Sequence, residues 1–383
     1  MMSSQAQHAM LPQSTHDEET RQIFTKSLRE HVTGTVTAGN KVVYEGAAKK
    51  AFEREHGRAP KSRGEVRKAM VAQPYHQFWS AFMRTTQEMM WESVGATIDR
   101  DFDDLHLRAN ENKKGNGTLR LDPELPLPRY VTAVDIHCMP GNYTTDVAAD
   151  DVSAGALYDR GVYLYMMGGM GAYNESCGAT LLGHLQATYP DFKPSRILDM
   201  GCAVGHSTLP YVDAFPDADV HAIDVGAPML RYAHARAVSL GKTVHFSQQN
   251  AERTDYPDQS FDLIVSHIAL HETSSKAMRN IMAESRRLLR PGGMALHLEV
   301  PPFGDKDPFD QYLTDWDTHY NAEPFIGTLH DMDLRKIMQD AGFGHNEVIM
   351  DMIPVHVRSD DGAGNYTHHV GGYLMAHGGK RTG

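Results

Sequence analysis

The part of this chain that most constrains its fold begins at residue 196. The apolar run 196–200 predicts a short strand, residues 201–205 predict a tight glycine turn, and a helix is expected to begin near Ser207. Glycine lets a backbone turn tightly and approach a ligand, and the first turn of a helix carries unpaired N–H groups. The succession therefore predicts an α/β fold that binds a ligand at this turn.

Two acidic residues specify the ligand further. Asp199 precedes the turn, and Asp224 ends a second predicted strand, where a carboxylate can accept hydrogen bonds from ribose hydroxyls. A dinucleotide site would need glycines in place of Ala203 and His206, and Asp199 would repel a pyrophosphate. The pattern favours a nucleoside with a cationic amino-acid part over NAD.

These segments resemble a known family. Residues 197–207 are similar to the first motif of class I S-adenosylmethionine-dependent methyltransferases, residues 250–252 and 260–265 to their adenine-binding loop and fourth strand, and residues 288–293 to the turn into the fifth strand. The chain most resembles the ubiquinone/menaquinone-biosynthesis-like small-molecule methyltransferases. The resemblance implies a Rossmann-like, seven-stranded, mostly parallel, doubly wound sheet and S-adenosyl-L-methionine as cofactor.

The turn and the resemblance together imply a set of cofactor-binding residues. They are Asp199, Gly201, Cys202, Gly205, His206, Asp224, Val225, Asn250, Ala251 and Ser266. Two positions depart from the family pattern: Ala203 replaces the middle glycine of the first motif, and Asn250 replaces an acid that commonly contacts the adenine amino group. The amide oxygen of Asn250 still accepts a hydrogen bond, so we expect the same cofactor.

The candidate catalytic residues follow the fourth strand. Ligands of doubly wound sheets bind outside the carboxyl ends of the strands, which selects His267, His271 and Glu272. We expect His271 to be a general base, with Glu272 or another acid orienting it. His267 and His271 would share one face of a helix, as metal ligands do, but no further ligand cluster has the right spacing and no metal is expected. Structural packing of either histidine is the open alternative.

Aromatic residues are the candidates for binding the acceptor. Tyr163 and Tyr173 flank the glycine-rich residues 166–171, and Trp316 and Tyr320 lie in a long connection after the fifth strand. By resemblance, both regions cover the ligands, and aromatic side chains there can bound an apolar substrate. Core packing of each of these side chains is the alternative.

The chain divides into three regions. Residues 1–16 lack hydrophobic periodicity and predict a flexible tail, residues 17–150 are mainly helical and predict a lid or dimerisation region, and residues 151–383 form the catalytic domain. Within the second region, residues 130–138 have strand-type composition. His137 and Cys138, in that segment, could line a pocket, but a structural role is the preferred interpretation.

Composition limits the partners. Lys and Arg total 37 against 49 Asp and Glu, and the resulting net charge of −12 disfavours a nucleic-acid-binding surface. The basic run 49–68 is interpreted as solvated helix faces. The three cysteines have no CxxC spacing, so we expect free thiols and a cytoplasmic protein. No apolar run reaches the length of a membrane span.

These inferences predict methyl transfer to a small organic acceptor, at oxygen or carbon in preference to sulfur. A nucleic-acid methyltransferase and a non-catalytic partner-binding module that keeps the fold are the alternatives. The N-terminal helices offer a surface for a homodimer.

Overall fold

A sheet of eight strands lies at the centre of the computed structural model, which describes residues 4–358 and 366–382. The strands are β1 (Thr118–Arg120), β2 (Arg196–Met200), β3 (Asp219–Asp224), β4 (His245–Gln248), β5 (Phe261–His267), β6 (Leu289–Glu299), β7 (Val348–Arg358) and β8 (Tyr366–Lys380). Their spatial order is β1-β4-β3-β2-β5-β6-β8-β7.

The first six strands are parallel, and β8 runs antiparallel to both of its neighbours, β6 and β7. The chain passes from β2 outward to β3 and β4, then crosses back to pair β5 with β2. This reversal places a crevice at the carboxyl ends of β2 and β5, where doubly wound sheets bind ligands. The predicted mostly parallel, Rossmann-like sheet is confirmed, and β1 is an additional strand contributed by the N-terminal region.

Alternating side chains of the strands form two apolar layers. Ile197 of β2 and Leu263 of β5 point into one layer, while Leu198 and Ile264 point into the other, and each of the four is 0 % exposed. Both faces are buried because helices cover them, so the strands read as continuous apolar runs rather than alternating ones.

Residues 151–383 contribute a further set of helices, several of which cover this sheet. They are α7 (Ser153–Tyr165), α8 (Ser176–Thr188), α9 (Leu209–Ala214), α10 (Ala227–Ser239), α11 (Ser275–Leu288), α12 (Pro308–Thr314), α13 (Trp316–Tyr320), α14 (Ile326–His330) and α15 (Leu334–Asp340). Helices α8, α9 and α10 pack on the face that contains Ile197, and α11 and α15 pack on the face that contains Leu198. This two-sided cover is what a doubly wound sheet requires.

The N-terminal helices form a layer beside α7. They are α1 (His16–His31), α2 (Thr37–Val43), α3 (Lys49–His56), α4 (Arg63–Met70), α5 (Pro74–Glu111) and the short α6 (Arg129–Thr132), with π-helical turns at Val32–Val36 and Tyr44–Ala48. Helix α5 packs closely on α7 at Gly161. A Cβ added to this α7 residue would lie 2.2 Å from the ring of Trp91 in α5, so only glycine fits there. Among the helices of residues 4–358, none combines the length and hydropathy of a bilayer span.

The N-terminal segment is not the tail that its composition predicts. Met10 and Leu11 are 0 % and 2 % exposed, and Gln5 Nε2 donates to Oδ1 of Asp159 at 3.0 Å. The hydroxyl of Tyr232 donates to the carbonyl of Met10 at 3.1 Å. The prediction was wrong for residues 4–15, because Asp159 and Tyr232, which are buried farther along the chain, take hydrogen-bond partners from this segment.

The predicted strand over residues 130–138 is also wrong. The segment instead contains α6 and a 3₁₀ turn, Ile136–Cys138. His137 and Cys138 have φ values of 54° and 58°, in the left-handed region, which a strand excludes.

Candidate functional site

A cleft opens at the carboxyl ends of the central strands. Its walls come from the turn after β2, the ends of β3 and β5, the loop after β4 and the irregular segment before α7. The polar residues that line it are Tyr130, Tyr143, Tyr158, Asp224, Gln249, Asn250, His267, Glu272 and Thr273. The cleft therefore lies at the position that the strand order predicts for a ligand.

The turn after β2 is tied to the end of β3. Gly201 and Ala203 have φ values of 76° and 46°, and the N–H groups of Gly201 and Cys202 both donate to the carbonyl of Ile223. The N–H of Ala203 donates to Oδ2 of Asp224 at 2.9 Å. The left-handed turn thus turns its backbone towards β3 and leaves room for a ligand above Gly201.

Asp224 is the carboxylate of the cleft floor. Its Oδ1 accepts from the N–H of Gly226 at 2.9 Å, so each oxygen already accepts one backbone hydrogen bond and keeps a lone pair for a ligand. Burial raises the pKa of Asp224 to about 6, against the lowering effect of these hydrogen bonds, and Glu272 also raises it. Asp224 and Glu272 are therefore close enough to interact electrostatically, and both line the cleft.

Glu272 follows β5 and lines the same cleft. Its Oε1 accepts from the hydroxyl of Tyr143 at 3.0 Å and lies 3.2 Å from Nε2 of His137. His137 thus belongs to the site, although its sequence position suggested a structural role. No local pattern identifies it, because its partners lie more than 100 residues away in the sequence.

His271 lies behind the cleft wall and does not line it. It is 2 % exposed, and its Nδ1 lies 2.9 Å from Oε2 of Glu299. Burial lowers the pKa of His271, but Glu299 and Glu323 outweigh it and raise the pKa to about 9. His271 is therefore protonated at neutral pH in this state, which disfavours the predicted role of general base.

His267 ends β5 and does line the cleft. It does not share a helix face with His271, because residues 268 and 269 are not helical and His271 lies in a separate 3₁₀ turn, Leu270–Glu272. Nε2 of His267 pairs with the hydroxyl of Tyr211 at 3.0 Å, and its Nδ1 lies 3.3 Å from Oδ1 of Asp199. The i and i+4 geometry considered for a metal pair is therefore wrong.

The predicted acceptor-binding aromatic residues do not line this cleft. Tyr163 is buried against the N-terminal helices, and Tyr173 lines a separate cavity. Trp316 packs 5.9 Å from Trp79, and Tyr320 packs 5.8 Å from Trp316. Tyr130, Tyr143 and Tyr158 line the cleft instead.

Comparison with known proteins gives the family of the central segment. Residues 197–293 match the methyltransferase domain family. Residues 197–293 are a class I methyltransferase domain. The matched segment contains the turn after β2, Asp224 and Glu272. S-adenosylmethionine is the cofactor of this class.

Three relatives show the range of chains that share this methyltransferase domain. A demethylmenaquinone methyltransferase of Thermus thermophilus is 33% identical over 28% of this chain and 49% of its own length. A malonyl-[acyl-carrier protein] O-methyltransferase of Methylococcus capsulatus is 31% identical over 40% of this chain and 54% of its own. Phosphoethanolamine N-methyltransferase 3 of Arabidopsis thaliana is 31% identical over 28% and 21%. The chain spans about half of the first two relatives.

The cleft fits S-adenosylmethionine by its donors and its shape. The free lone pairs of Asp224 suit the ribose hydroxyls, and the amide of Asn250 suits the adenine amino group. A Cβ at Gly201 would come within 3.0 Å of Ala269 and narrow the cleft, so glycine at this position keeps it open. The residues present therefore fit the cofactor of this methyltransferase domain.

The predicted cofactor-binding residues separate into two groups. Those that line the cleft are Gly201, Asp224, Val225, Asn250 and Ala251. Those that do not are Asp199, Cys202, Gly205, His206 and Ser266.

Three residues of the second group have hydrogen-bond or ion-pair partners away from the cleft. Asp199 is 1 % exposed and accepts from the Thr208 hydroxyl at 2.6 Å, so it orders the turn from behind rather than facing the ligand. His206 lies 2.9 Å from Asp159, and Ser266 pairs with His297.

Proposed function

We propose that this protein transfers a methyl group from S-adenosyl-L-methionine to a hydroxyl or activated carbon of a small, uncharged organic acceptor. One observation carries the proposal: Asp224 and Glu272 line one cleft at the carboxyl ends of β3 and β5, within a methyltransferase domain. The first suits the ribose of the cofactor, and the second lies where an acceptor can reach it. Transfer to sulfur is the less favoured variant.

The relatives support a small acceptor. The names of the similar proteins specify demethylmenaquinone, malonyl-acyl-carrier protein and phosphoethanolamine as their substrates. These acceptors differ in charge, so the lining of the cleft is the better guide to the acceptor of this chain.

The lining favours an acceptor without a phosphate or carboxylate. Among the described residues that line the cleft, none is a lysine or an arginine, while Asp224 and Glu272 are acidic. An anionic acceptor would meet carboxylates without a cationic side chain in the wall to neutralise it. The rings of Tyr130, Tyr143 and Tyr158 offer apolar surface instead, as for a quinol or a phenol.

The chain's own residues position the reactants and take up a proton. S-adenosylmethionine, when bound, supplies a methyl group already activated on a sulfonium, so catalysis requires mainly alignment of the acceptor. We assign Asp224 to the ribose and Glu272 to the proton of the acceptor hydroxyl. Tyr143 and His137 fix the Glu272 carboxylate from one side. His271 is less suited to this role because Glu299 occupies its Nδ1.

The alternatives predict different ligands. A nucleic-acid methyltransferase would need basic residues near the acceptor. The net charge of −12 and the lining of this cleft, which contains no lysine or arginine among the described residues, disfavour that alternative. A non-catalytic module would bind no cofactor.

Isothermal titration of S-adenosylmethionine and S-adenosylhomocysteine tests the proposal first. We expect a Kd in the micromolar range, about −8 kcal/mol, and its loss in Asp224→Ala. Asp219→Ala, at the opposite and exposed end of β3, is the matched control and should bind like wild type. S-adenosylhomocysteine release is then measured with phenols, quinols, phosphoethanolamine, malonyl thioesters and an oligonucleotide. Turnover of the anionic acceptors alone would refute the assigned acceptor class, and failure to bind either cofactor form would refute the function.

We also propose a cytoplasmic homodimer. Cys138, Cys177 and Cys202 are free, as expected in a reducing compartment. Phe24 of α1 and Phe78 of α5 are 58% and 56% exposed and offer apolar surface on the N-terminal helices. Light scattering of wild type and of Phe24→Ser/Phe78→Ser tests this: a dimer that becomes a monomer supports it, and a wild-type monomer refutes it.

A further inference from the structure

Two histidines and one glutamate meet beside the cleft. His137 comes from the 3₁₀ turn before α7, His271 from the turn after β5, and Glu323 from the loop between α13 and α14. One ligand atom from each lies within 4.8 Å of the other two. His137 Nδ1 lies 3.0 Å from Oε1 of Glu323, and His271 Nε2 lies 3.7 Å from Oε2 of the same carboxylate.

Each histidine uses its other ring nitrogen on a second carboxylate. His271 Nδ1 lies 2.9 Å from Glu299, and His137 Nε2 lies 3.2 Å from Glu272. A carboxylate on the far nitrogen of a metal-bound histidine fixes the ring orientation and raises its basicity. Both histidines therefore have the outer partner that metal ligands characteristically have, with the remaining nitrogen turned towards Glu323.

The backbone holds His137 in this position at a cost. His137 and Cys138 are consecutive non-glycine residues with φ near +55°, a conformation that L residues rarely adopt. The carbonyl of His137 accepts hydrogen bonds from Trp91 Nε1 and Gln87 Nε2, both at 2.8 Å. Strained residues fixed by surrounding contacts cluster at ligand sites, so this turn is built to aim the imidazole.

Glu323 is oriented as firmly. It is 3 % exposed, and Nδ2 of Asn321 donates to its Oε1 at 2.6 Å. Together with Glu272 and Glu299 it brings three carboxylates to two imidazoles. Even with both imidazoles protonated, one negative charge is left over, and a bound cation would balance it.

We infer that His137, His271 and Glu323 bind a divalent first-row transition-metal ion. Two imidazole nitrogens and one carboxylate suit zinc, iron, cobalt or manganese, whereas magnesium and calcium prefer oxygen ligands alone. Three protein ligands leave a position for water or a substrate oxygen. Glu272 links this position to the cleft, because it lines the cleft and contacts His137.

The metal site also limits which acceptors can bind, and this part of the inference rests on the proposed function. An acceptor with a hydroxyl or enol oxygen can become a ligand of the ion beside the methyl donor. The acceptor class is therefore one with an oxygen that binds a transition metal, such as a catechol or an enolised ketone.

Zinc alone, without S-adenosylmethionine, tests the site. The whole protein is freed of metal with a chelator and titrated calorimetrically with Zn²⁺, and bound metal is counted by elemental analysis after gel filtration. We expect one tight zinc per chain, weakened about 100-fold or more in His137→Gln and Glu323→Gln, and about 10- to 100-fold in Glu299→Gln. His319→Gln, a half-exposed histidine in α13, is the matched control for the many other histidines and should not change the tight site.

The outcomes separate the two proposals. Absence of tight zinc binding in the wild type, or tight binding that survives both ligand substitutions, overturns the metal site whatever the folding of the variants. Zinc binding without cofactor binding supports the metal site and refutes the methyltransferase. Cofactor binding without zinc binding supports the methyltransferase and refutes the metal site.

Discussion

The backbone N–H of Ala203 donates to Oδ2 of Asp224 at 2.9 Å and joins the turn after β2 to the end of β3. One carboxylate therefore fixes the turn after β2 and also lines the cleft that we propose for the cofactor. Its protonation must affect ligand binding.

Cofactor affinity should fall on acidification. The pKa of Asp224 is raised to about 6, so the carboxyl gains a proton below that pH and loses an acceptor for the ribose hydroxyls. We expect the Kd for S-adenosylhomocysteine to be constant from pH 7 to 8 and to rise below pH 6 by at most about tenfold per pH unit. Titration calorimetry from pH 5 to 8 measures this. Asp224→Asn should bind more weakly at pH 7.5 and lose the pH dependence; an affinity that increases with acid would contradict the assignment.

Ala203→Gly should stabilise the protein. Ala203 has a φ of 46°, and the left-handed conformation costs an L residue about 1–2 kcal/mol, while glycine costs about 0.4–1 kcal/mol through the unfolded chain. We expect a net gain of about 0.5–1 kcal/mol in the free energy of unfolding in urea. Ala81→Gly, on the exposed face of α5, should instead lose about 1 kcal/mol. A loss at both positions would show that the turn is not strained.

Asp159→Asn should destabilise the protein by about 3–5 kcal/mol, because it leaves the buried guanidinium of Arg236 without its anion. Asp159 is 0 % exposed, lies 2.9 Å from His206 and 3.3 Å from Arg236, and accepts from the Tyr232 hydroxyl at 2.8 Å. Urea unfolding at pH 7 measures the difference. Asp255→Asn, which breaks an exposed pair with Arg120, should cost less than about 1 kcal/mol.

The same carboxylate predicts a pH dependence. Burial raises the pKa of Asp159, but His206 and Arg236 outweigh it and hold the pKa well below its usual value. A depressed pKa stabilises the folded state above the unfolded pKa of about 3.9, and the contribution is lost as the pH falls through the folded pKa. The difference between wild type and Asp159→Asn should therefore be constant from pH 5 to 7 and shrink below pH 4. A stability difference that grows as the pH falls would contradict a lowered pKa for Asp159.

Glu272→Gln should separate binding from turnover. If the carboxylate takes the acceptor proton, kcat falls by about 10²- to 10⁴-fold, while the Kd for S-adenosylmethionine changes little. Stopped assays of S-adenosylhomocysteine formation with the best acceptor measure kcat. Glu88→Gln, on the exposed surface of α5, is the control. Equal losses in kcat and cofactor affinity would indicate a structural role for Glu272.

Local patterns predicted the parts of the site that short segments form. Strand β2 has the predicted bounds, and Asp224 and Asn250 line the cleft, because strand ends and the turns after them follow from neighbouring residues. The direction of the Asp199 side chain did not follow, since it depends on Thr208 and on His267 from another strand.

Sequence patterns did not predict the contacts between distant segments. His137 and Glu323 are separated by 186 positions and have no shared motif, yet lie 3.0 Å apart. The docking of residues 4–15 was missed for the same reason, because Gln5 has its partner at Asp159. In both cases tertiary packing selects the partners.

The position of Asp159 has a consequence for synthesis on the ribosome. Gln5 and His8 leave the exit tunnel before Arg236, which shares the same carboxylate and follows more than 200 residues later. At about 5–20 residues per second, that interval lasts roughly ten seconds or more. During this time the apolar side chains of Met10 and Leu11 have no completed binding surface, so these two residues are buried long after they are made.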